Sequence, residues 1–141
     1  ILFAGRMDPV KGGHILLNAL PLIRCDLNRP LRVQVSGDGP DRQRWEKLAA
    51  GIQAGEPQIS IRFPGWLDEA QLSAEMKASR LLVVPSVWPE PFGSVGMAAA
   101  RCGVPAAAFA VGGIPQWLHD GVNGHLAPAA PPTARCSWPE G

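Results

Sequence analysis

Short apolar runs alternate along this chain with segments whose apolar residues recur at helical spacing. The five runs that predict strands cover residues 1–4, 31–36, 59–63, 81–84 and 104–110. Strands that are separated by helices pair in parallel, because a parallel neighbour is reached only through a crossover connection. The sequence therefore predicts an α/β fold, an open parallel sheet with helices on both faces.

Three helical segments can be placed from their apolar residues and their ends. The middle one carries a single apolar stripe at i, i+3, i+4 and i+7, formed by Trp45, Leu48, Ala49 and Ile52. We expect Pro40 to open this helix at its first position. The next helix should begin at Asp68, because Gln71 three residues later completes a capping-box pattern. In the helix over residues 13–26, Pro21 predicts a kink or a break.

The length of the chain predicts one domain. Its 141 residues, of which 46% are hydrophobic, are enough for one core, which we place over residues 1–128. Residues 129–141 hold prolines among scattered Ala, Ser and Gly without a periodic face, which predicts an irregular or disordered tail. Because the chain opens on an apolar strand without a methionine, we expect it to be a fragment of a longer protein.

The charge balance and the cysteines exclude several classes of function. With 13 basic and 12 acidic residues, the chain offers no broad surface for nucleic acid or for an anionic membrane, so any phosphate site must be local. Cys25, Cys102 and Cys136 form no C-x-x-C pattern, which argues against a disulfide framework or a zinc site and fits a reducing compartment. The three histidines are not spaced as metal ligands, and we predict no metal. No apolar run approaches the roughly 18 residues of a spanning helix, so we predict no transmembrane segment and a cytoplasmic location.

In an open parallel sheet, ligands bind at the loops that follow the carboxyl ends of the strands. The first such loop, residues 5–13, holds Arg6 and Lys11 on either side of an Asp-Pro turn. The forked guanidinium group of Arg6 and the compact ammonium group of Lys11 can converge there on one anion. Their predicted role is to hold a pyrophosphate and to stabilise it as it leaves. The alternative is that both are solvated surface cations, but their position between a strand and a glycine pair favours the site.

Glu90 stands between two prolines after the fourth predicted strand, at the mouth of a helix that a glycine opens. The first amides of a helix lack intrahelical partners, so those of Phe92, Gly93 and Ser94 can face the oxygens of a ligand. Glu90 then offers an acceptor for hydroxyls. Amides beside a fixed carboxylate suit a ligand with both a phosphate and a polyol, which describes a sugar nucleotide. The alternative is that Glu90 only caps the helix.

Three further loops after predicted strands carry glycines or an aromatic residue. Gly37 opens G-D-G-P, which is half of a dinucleotide fingerprint and fits a simple strand-to-helix turn equally well. Gly65 and Trp66 could border a nucleobase slot, although a Trp that packs in the core is the simpler alternative. Gly112 and Gly113 allow the backbone to approach a ligand closely.

Together these loops resemble the nucleotide-sugar domain of retaining glycosyltransferases with the two-domain GT-B architecture, the family often labelled group 1. The matching segments occur in the family's order between residues 2 and 128: G-R-M-D-P-V-K-G-G, V-S-G-D-G-P, I-R-F-P-G-W, L-L-V-V-P-S-V-W-P-E-P-F-G, C-G-V-P, V-G-G-I-P and D-G-V-N-G. The resemblance implies a Rossmann-like fold that forms the C-terminal half of a GT-B enzyme. The whole enzyme would move a hexosyl group from a nucleoside-diphosphate sugar to a hydroxyl of a saccharide, lipid or small-molecule acceptor, with retention of configuration.

The resemblance also implies roles for the site residues. Arg6 and Lys11 would bind the donor diphosphate, and Glu90 would accept hydrogen bonds from hydroxyls of the donor sugar. The backbone amides from Phe92 to Val95 would contact sugar and phosphate. No cofactor and no metal is implied, because the cations and the helix terminus neutralise the leaving group.

One position departs from the family pattern. A second glutamate, which in relatives binds the ribose hydroxyls, would stand where this chain has Ala98. A hydrogen bond to a charged group is worth ~1.5–3 kcal/mol, so we expect weaker nucleotide binding than in relatives. The acceptor half is also missing, and we expect the isolated domain to be inactive without that N-terminal domain. Two alternatives stay open: a degenerate GT-B half that serves as a scaffold or interaction module, and, less favoured, a Rossmann oxidoreductase, for which the glycine fingerprint is incomplete.

Overall fold

In the computed structural model, which describes residues 1–129, six strands and four α-helices follow one another along the chain. The strands are β1 (Leu2–Ala4), β2 (Leu31–Ser36), β3 (Ile59–Gly65), β4 (Leu82–Val84), β5 (Ala106–Phe109) and β6 (Gly124–Ala127). The helices are α1 (Gly13–Leu27), α2 (Arg42–Gly55), α3 (Glu69–Ala78) and α4 (Ser94–Arg101). Two short 3-10 helices, Pro9–Lys11 and Ile114–Gln116, lie in the loops after β1 and β5.

All six strands are parallel and lie in one sheet in the order β3-β2-β1-β4-β5-β6. In this Rossmann-like arrangement the chain moves from β1 outward to one edge, then returns to begin β4 on the other side of β1. The direction of winding therefore reverses between β1 and β4. The loops that follow these two strands border the crevice in which such sheets bind ligands. The predicted fold class is confirmed.

The core consists of two hydrophobic clusters on opposite faces of the sheet. Neighbouring residues of β1 divide between them: Phe3 packs with α1, α2 and the first three strands, whereas Leu2 packs with α3, α4 and the later strands. Because successive side chains of a strand point to opposite faces, the two clusters cover both sides of the sheet. Trp45 of α2 is buried, and its ring meets that of Phe3 edge to face at 5.6 Å. The two layers of helices fix the strand ends and, with them, the loops.

The start of α3 agrees with its prediction, whereas the start of α2 does not. Asp68 accepts from the Gln71 amide at 2.8 Å, and the Gln71 side chain accepts from the Asp68 amide at 3.0 Å, which confirms the capping box. The prediction that Pro40 opens α2 is wrong, since the helix begins only after its N-cap Asp41. The Asp41 amide donates to the carbonyl oxygen of Met7 at 2.9 Å, which ties this segment to the loop after β1 and delays the helix.

Pro21 does not break α1, which is one helix from Gly13 to Leu27. A proline in a helix interior costs ~3 kcal/mol. Leu16, Leu17 and Leu20 of the same helix are buried, and each buried leucine stabilises the fold by about 1.5–3 kcal/mol. Burial of the apolar face therefore outweighs the proline.

The sheet has one more strand than predicted. β6 pairs in parallel with β5, with His125 opposite Ala107. Its four residues, G-H-L-A, form no apolar run, so the strand is defined by the hydrogen bonds that β5 offers and not by its own pattern.

Three predictions concern features that the described residues cover in part. Apart from Ala129, the predicted irregular tail over residues 129–141 lies outside the described residues. Cys25 and Cys102 are free thiols, and Cys136 lies outside the described residues. Within residues 1–129, every helix is too short or too polar to cross a membrane.

Candidate functional site

The loops that follow β1 and β4 pack backbone to backbone at the crevice. Gly12 in the first loop has a φ of 70°, and a Cβ atom there would lie 1.9 Å from the carbonyl oxygen of Pro85. Only glycine tolerates both this left-handed conformation and this contact. The Val87 amide also donates to the carbonyl oxygen of Val10 at 2.9 Å. The backbone alone therefore fixes the register of the two loops.

Three side chains meet where these loops touch, and we call them the polar end: Lys11, Ser86 and Glu90. The Lys11 ammonium group forms a salt bridge with Glu90 Oε1, and the Ser86 hydroxyl donates to the same oxygen at 2.8 Å. Within the described residues, Glu90 Oε2 accepts no hydrogen bond. Ser86 is 2% exposed and the Glu90 side chain 14% exposed. The carboxylate is thus held through one oxygen, and its role toward a ligand stays a prediction.

Asp8 connects Arg6 to the polar end. Arg6 Nε lies 3.2 Å from Asp8 Oδ2, and the Lys11 amide donates to Asp8 Oδ1 at 3.0 Å. The Arg6 side chain is 65% exposed, and within residues 1–129 its salt bridge to Asp8 uses Nε and not the two terminal nitrogens of the guanidinium group. Lys11 is thus paired and the end of Arg6 is open to solvent, and the convergence of the two cations on one anion stays a prediction.

The start of α4 lies directly after the loop that carries Glu90. Its N-cap is Gly93, and no side chain caps this end. A helix leaves its first four N–H groups without intrahelical partners, and those of Ser94 and Val95 are among them. The helix dipole adds a partial positive charge at the same place. Phe92 is exposed. The start of α4 therefore offers donors to an anion beside the polar end.

The Gly112 and Gly113 pair packs against the loop that carries Glu90. The Gly113 amide donates to the Glu90 carbonyl oxygen at 2.7 Å. A Cβ atom at Gly112, which has a φ of 55°, would lie 2.3 Å from the same oxygen. The close backbone approach predicted for these glycines is thus made to the Glu90 loop, and their contact with a ligand stays a prediction.

A cavity of about 810 Å³ opens at the same edge of the sheet. Its volume lies within the ~300–1,000 Å³ that is usual for small-molecule sites. The loops after β1, β2 and β3 and the helices α3 and α4 form its walls. Of the predicted site residues, those that line it are Arg6, Gly37, Trp66, Ser94 and Val95.

Trp66 and the two glycines near it shape the side of the cavity that β2 and β3 provide. Trp66 is 75% exposed, so the alternative that it packs in the core is wrong. The Gly37 amide donates to the carbonyl oxygen of Gly65 at 2.8 Å, which joins the loops after β2 and β3. Gly65 is buried beneath this wall and does not line the cavity.

A second ion pair fixes the loop after β2. Asp38 lines the cavity, its Oδ1 accepts from the Gly39 amide at 2.8 Å, and its Oδ2 lies 3.7 Å from Arg42 Nη1. Glu46 accepts from Arg42 Nε at 2.9 Å, and this hydrogen bond raises the pKa of the Arg42 guanidinium above its ordinary value. Arg42 is therefore charged at every relevant pH and balances Asp38.

The predicted site residues thus form two adjoining groups. Lys11 and Glu90 do not line the cavity but lie beside it. Arg6 joins the two groups, because it lines the cavity and is linked through Asp8 to Lys11. Ser94 joins them as well, because it lines the cavity and follows the Glu90 loop.

Reasoning from the sequence missed Ser86. The only signal was a serine directly after a strand and a proline, and no spacing there predicts a hydrogen bond to Glu90. The contact depends on how the loop after β4 turns back toward the loop after β1.

The donor set of the site contains cations and amides. Within the described part of the chain, no three His, Cys, Asp or Glu residues are placed to hold a metal ion. The cationic and amide groups at this site are Arg6, Lys11 and the start of α4. The expectation that the reaction needs no metal stays a prediction.

Comparison with known families and proteins gives one consistent result. Residues 1–135 match the family described as Glycosyl transferases group 1. The chain is 36% identical over 139 residues to the D-inositol 3-phosphate glycosyltransferase of Streptomyces bingchenggensis, a match that covers 93% of this chain and 30% of that protein. The chain therefore spans less than a third of that relative's length.

Solved structures of similar fold include two complexes. Anabaena Alr3699/HepE in complex with UDP and glucose matches with a TM-score of 0.71 and 29% identity, over 90% of this chain and 34% of that protein. The pneumococcal O-GlcNAc transferase GtfA in complex with UDP and GlcNAc matches with a TM-score of 0.80 and 25% identity, over 92% of this chain and 24% of that protein. Both likenesses extend over most of this chain.

Proposed function

Because this chain belongs to the group 1 glycosyl transferases, we propose that it is the donor-binding domain of a glycosyltransferase. The intact enzyme would move a hexosyl group from a nucleoside-diphosphate sugar to a hydroxyl acceptor, with retention of configuration. The family and the fold predicted from the sequence, a Rossmann-like half of a GT-B enzyme, are confirmed. Since the chain spans about 30% of a relative's length, the acceptor-binding domain is part of the proposal.

The observation that carries the proposal is the meeting of Lys11 and Glu90 between β1 and β4, beside the large cavity. Lys11 and Glu90 lie where the direction of winding reverses between β1 and β4. A cation and a carboxylate at that point suit a ligand that carries both negative charge and hydroxyl groups. A sugar nucleotide has both.

Glu90 would orient the donor sugar. Its Oε1 is held by Lys11 and Ser86, so the carboxylate cannot rotate freely. The remaining oxygen, Oε2, would accept hydrogen bonds from sugar hydroxyls. A carboxylate that is fixed before the ligand arrives loses little conformational entropy on binding, which favours a specific orientation of the sugar.

Arg6, Lys11 and the start of α4 would hold the diphosphate. When the bond between the sugar and the diphosphate breaks, negative charge grows on the departing oxygen. Two cations and the amides of Ser94 and Val95 would stabilise that charge, and preorganised donors of this kind lower the barrier without further rearrangement. The donor is a substrate, and the proposal includes no cofactor.

The nucleoside would occupy the cavity, with its base against the exposed Trp66. The related Alr3699/HepE and GtfA structures contain UDP with a sugar, which supports a uridine nucleotide as the first donor to test. The interlocked polar end favours a working site over the alternative of a scaffold, because a scaffold has no need for a buried serine that orients a carboxylate.

The proposal extends to the setting of the enzyme. The isolated chain would bind the donor without transferring the sugar, because an acceptor must be positioned against the donor before transfer becomes fast. Free Cys25 and Cys102 fit a reducing compartment such as the cytoplasm.

Isothermal titration calorimetry of this chain with UDP and UDP-glucose tests the proposal. In Glu90→Gln the side chain keeps its size and loses its charge. We expect this variant to bind UDP-glucose about 10–100-fold more weakly while UDP binding changes little, because a hydrogen bond to a charged group is worth ~1.5–3 kcal/mol. Glu56→Gln is the matched control and should leave both affinities unchanged. Glu56 lies at the end of α2, directly before β3 and so at the amino ends of the strands, away from the site.

Two outcomes would contradict the proposal. If neither UDP-glucose nor other nucleoside diphosphates and their sugar conjugates bind at millimolar concentration, donor binding is not the function of this chain. If Glu90→Gln weakens UDP and UDP-glucose equally, Glu90 does not contact the sugar.

A further inference from the structure

One wall of the cavity is made of hydrocarbon. Leu67, Leu72, Val95 and Ala98 line it side by side, and we call them the apolar wall. Leu72, Val95 and Ala98 also pack against the same core cluster, so this wall is continuous with the protein interior. It extends from Trp66, which precedes Leu67, to the first turns of α4.

Within residues 1–129, no carboxylate belongs to the apolar wall. Asp38 is the only acidic residue that lines the cavity in the described chain, and it belongs to the loop after β2, where the Gly39 amide and Arg42 engage it. Ser36 of β2 also lines the cavity, but its hydroxyl is buried away from the cavity surface. A hydroxyl group that faced the apolar wall would therefore find no carboxylate, and the neighbouring Ser94 hydroxyl belongs to the end of the cavity that the proposed function assigns to the diphosphate.

We propose that this site does not select ribose, and that it takes 2′-deoxyribonucleoside diphosphate sugars as readily as the ribonucleoside forms. The inference rests on the proposed function. In any nucleotide the pentose lies between base and diphosphate. With the base at Trp66 and the diphosphate at Arg6 and Ser94, the pentose faces the apolar wall.

The energetic argument concerns the 2′ position. Burying a hydroxyl group against hydrocarbon without a hydrogen bond is unfavourable, whereas a CH2 group in the same place packs without loss. A wall that carried a carboxylate at position 98 would reverse this preference, because it would accept from the hydroxyl. The residue at position 98 therefore determines whether the site distinguishes ribose from 2′-deoxyribose.

The test compares the affinities of this chain for uridine 5′-diphosphate and 2′-deoxyuridine 5′-diphosphate by calorimetry. In the natural chain the 2′-deoxyribonucleotide should bind as tightly as the ribonucleotide within about threefold, or more tightly. In Ala98→Glu, the ribonucleotide should become preferred by about tenfold or more, since a charged acceptor then reaches the hydroxyl. Ala100→Glu adds the same charge on an exposed position of α4 outside this cavity and should leave the ratio unchanged.

Each outcome decides one point. A preference of about tenfold or more for the ribonucleotide in the natural chain overturns the inference and leaves the proposed function standing. A folded Ala98→Glu variant without a ribose preference also overturns it. If neither these two nucleotides nor other nucleoside diphosphates and their sugar conjugates bind at millimolar concentration, the proposed function itself is overturned. Circular dichroism shows whether Ala98→Glu is folded, and the comparison in the natural chain decides the inference without that variant.

Discussion

The polar end and the apolar wall lie at two sides of one candidate site and are built in opposite ways. At the polar end, two loops interlock through their backbones, and the Lys11 and Ser86 side chains both donate to one carboxylate oxygen of Glu90. The apolar wall is a continuation of the core and makes no hydrogen bond to a side chain within the described residues. Under the proposed function, recognition of sugar and phosphate would therefore depend on a fixed geometry, whereas recognition of the nucleoside would depend on shape.

The largest effect is expected from Gly12→Ala, which would break the polar end without removing any of its side chains. The new Cβ atom would collide with the carbonyl oxygen of Pro85 in a left-handed conformation. A strained backbone and an overpacked contact each cost about 1–3 kcal/mol, so we expect a loss of about 2–6 kcal/mol in the free energy of unfolding. Urea unfolding measures it.

Gly51→Ala is the matched control for that variant. Gly51 lies inside α2, and a Cβ atom there meets nothing within 4 Å. Alanine favours a helix over glycine by up to about 1 kcal/mol, so this variant should be slightly more stable than the natural chain. If Gly12→Ala behaved like Gly51→Ala, the two loops would not pack as described.

Ser86→Ala should have a smaller effect. It removes one of the two donors that orient Glu90 and so tests whether the fixed geometry of the polar end matters for binding. We expect the preference for UDP-glucose over UDP to fall by about 3- to 10-fold, since Lys11 still holds the carboxylate while one hydrogen bond to a charged group is lost. Calorimetry with both ligands measures this ratio. A role in packing alone would lower stability without changing the ratio.

Ser36→Ala is the control for Ser86→Ala, because both serines are 2% exposed. The Ser36 hydroxyl has no hydrogen-bond partner within the described residues, so its loss should be neutral or stabilising. The preference for UDP-glucose over UDP should stay as in the natural chain. An equal change of the ratio in both variants would show that Ser86 acts only through its burial.

The sequence could predict the members of the polar end that topology alone brings together. Loops after parallel strands meet at one edge of the sheet, so a cation after the first strand and a carboxylate after the fourth had to converge. Ser86 could not be found in this way. Its hydrogen bond to Glu90 depends on the path of the loop after β4, which is set by the contact between Gly12 and Pro85.

The same distinction explains the predicted elements. Five strands carry their own apolar runs, and the capping box at Asp68 is local to four residues, so both could be read from the sequence. β6 exists because β5 offers it hydrogen bonds, and α1 continues through Pro21 because its leucines are buried. Contacts between distant parts of the chain determine both features, so a local sequence pattern does not predict them.

The smallest effect is expected at the border of the polar end, where His14 follows the loop of Lys11. Partial burial and, to a lesser degree, nearby Arg44 lower the pKa of His14 below its ordinary value of 6.5, while Asp41 acts in the opposite direction. The folded chain therefore keeps this imidazole neutral at a pH at which the unfolded chain already binds a proton. Stability is complete above the ordinary pKa and declines as the pH falls through it toward the lower pKa of the folded state.

Urea unfolding at about pH 8 and at about pH 5 measures that decline. His14→Gln should reduce this decline. Without the imidazole, the unfolded chain no longer binds a proton at this position at a pH at which the folded chain binds none. His119→Gln, at an exposed imidazole in the loop before β6, serves as the control for the substitution itself. If instead His14→Gln kept the full decline, the imidazole would be as well solvated in the fold as in the unfolded chain. The border of the polar end would then be open to water, and the packing between α1 and Trp45 would be looser than described.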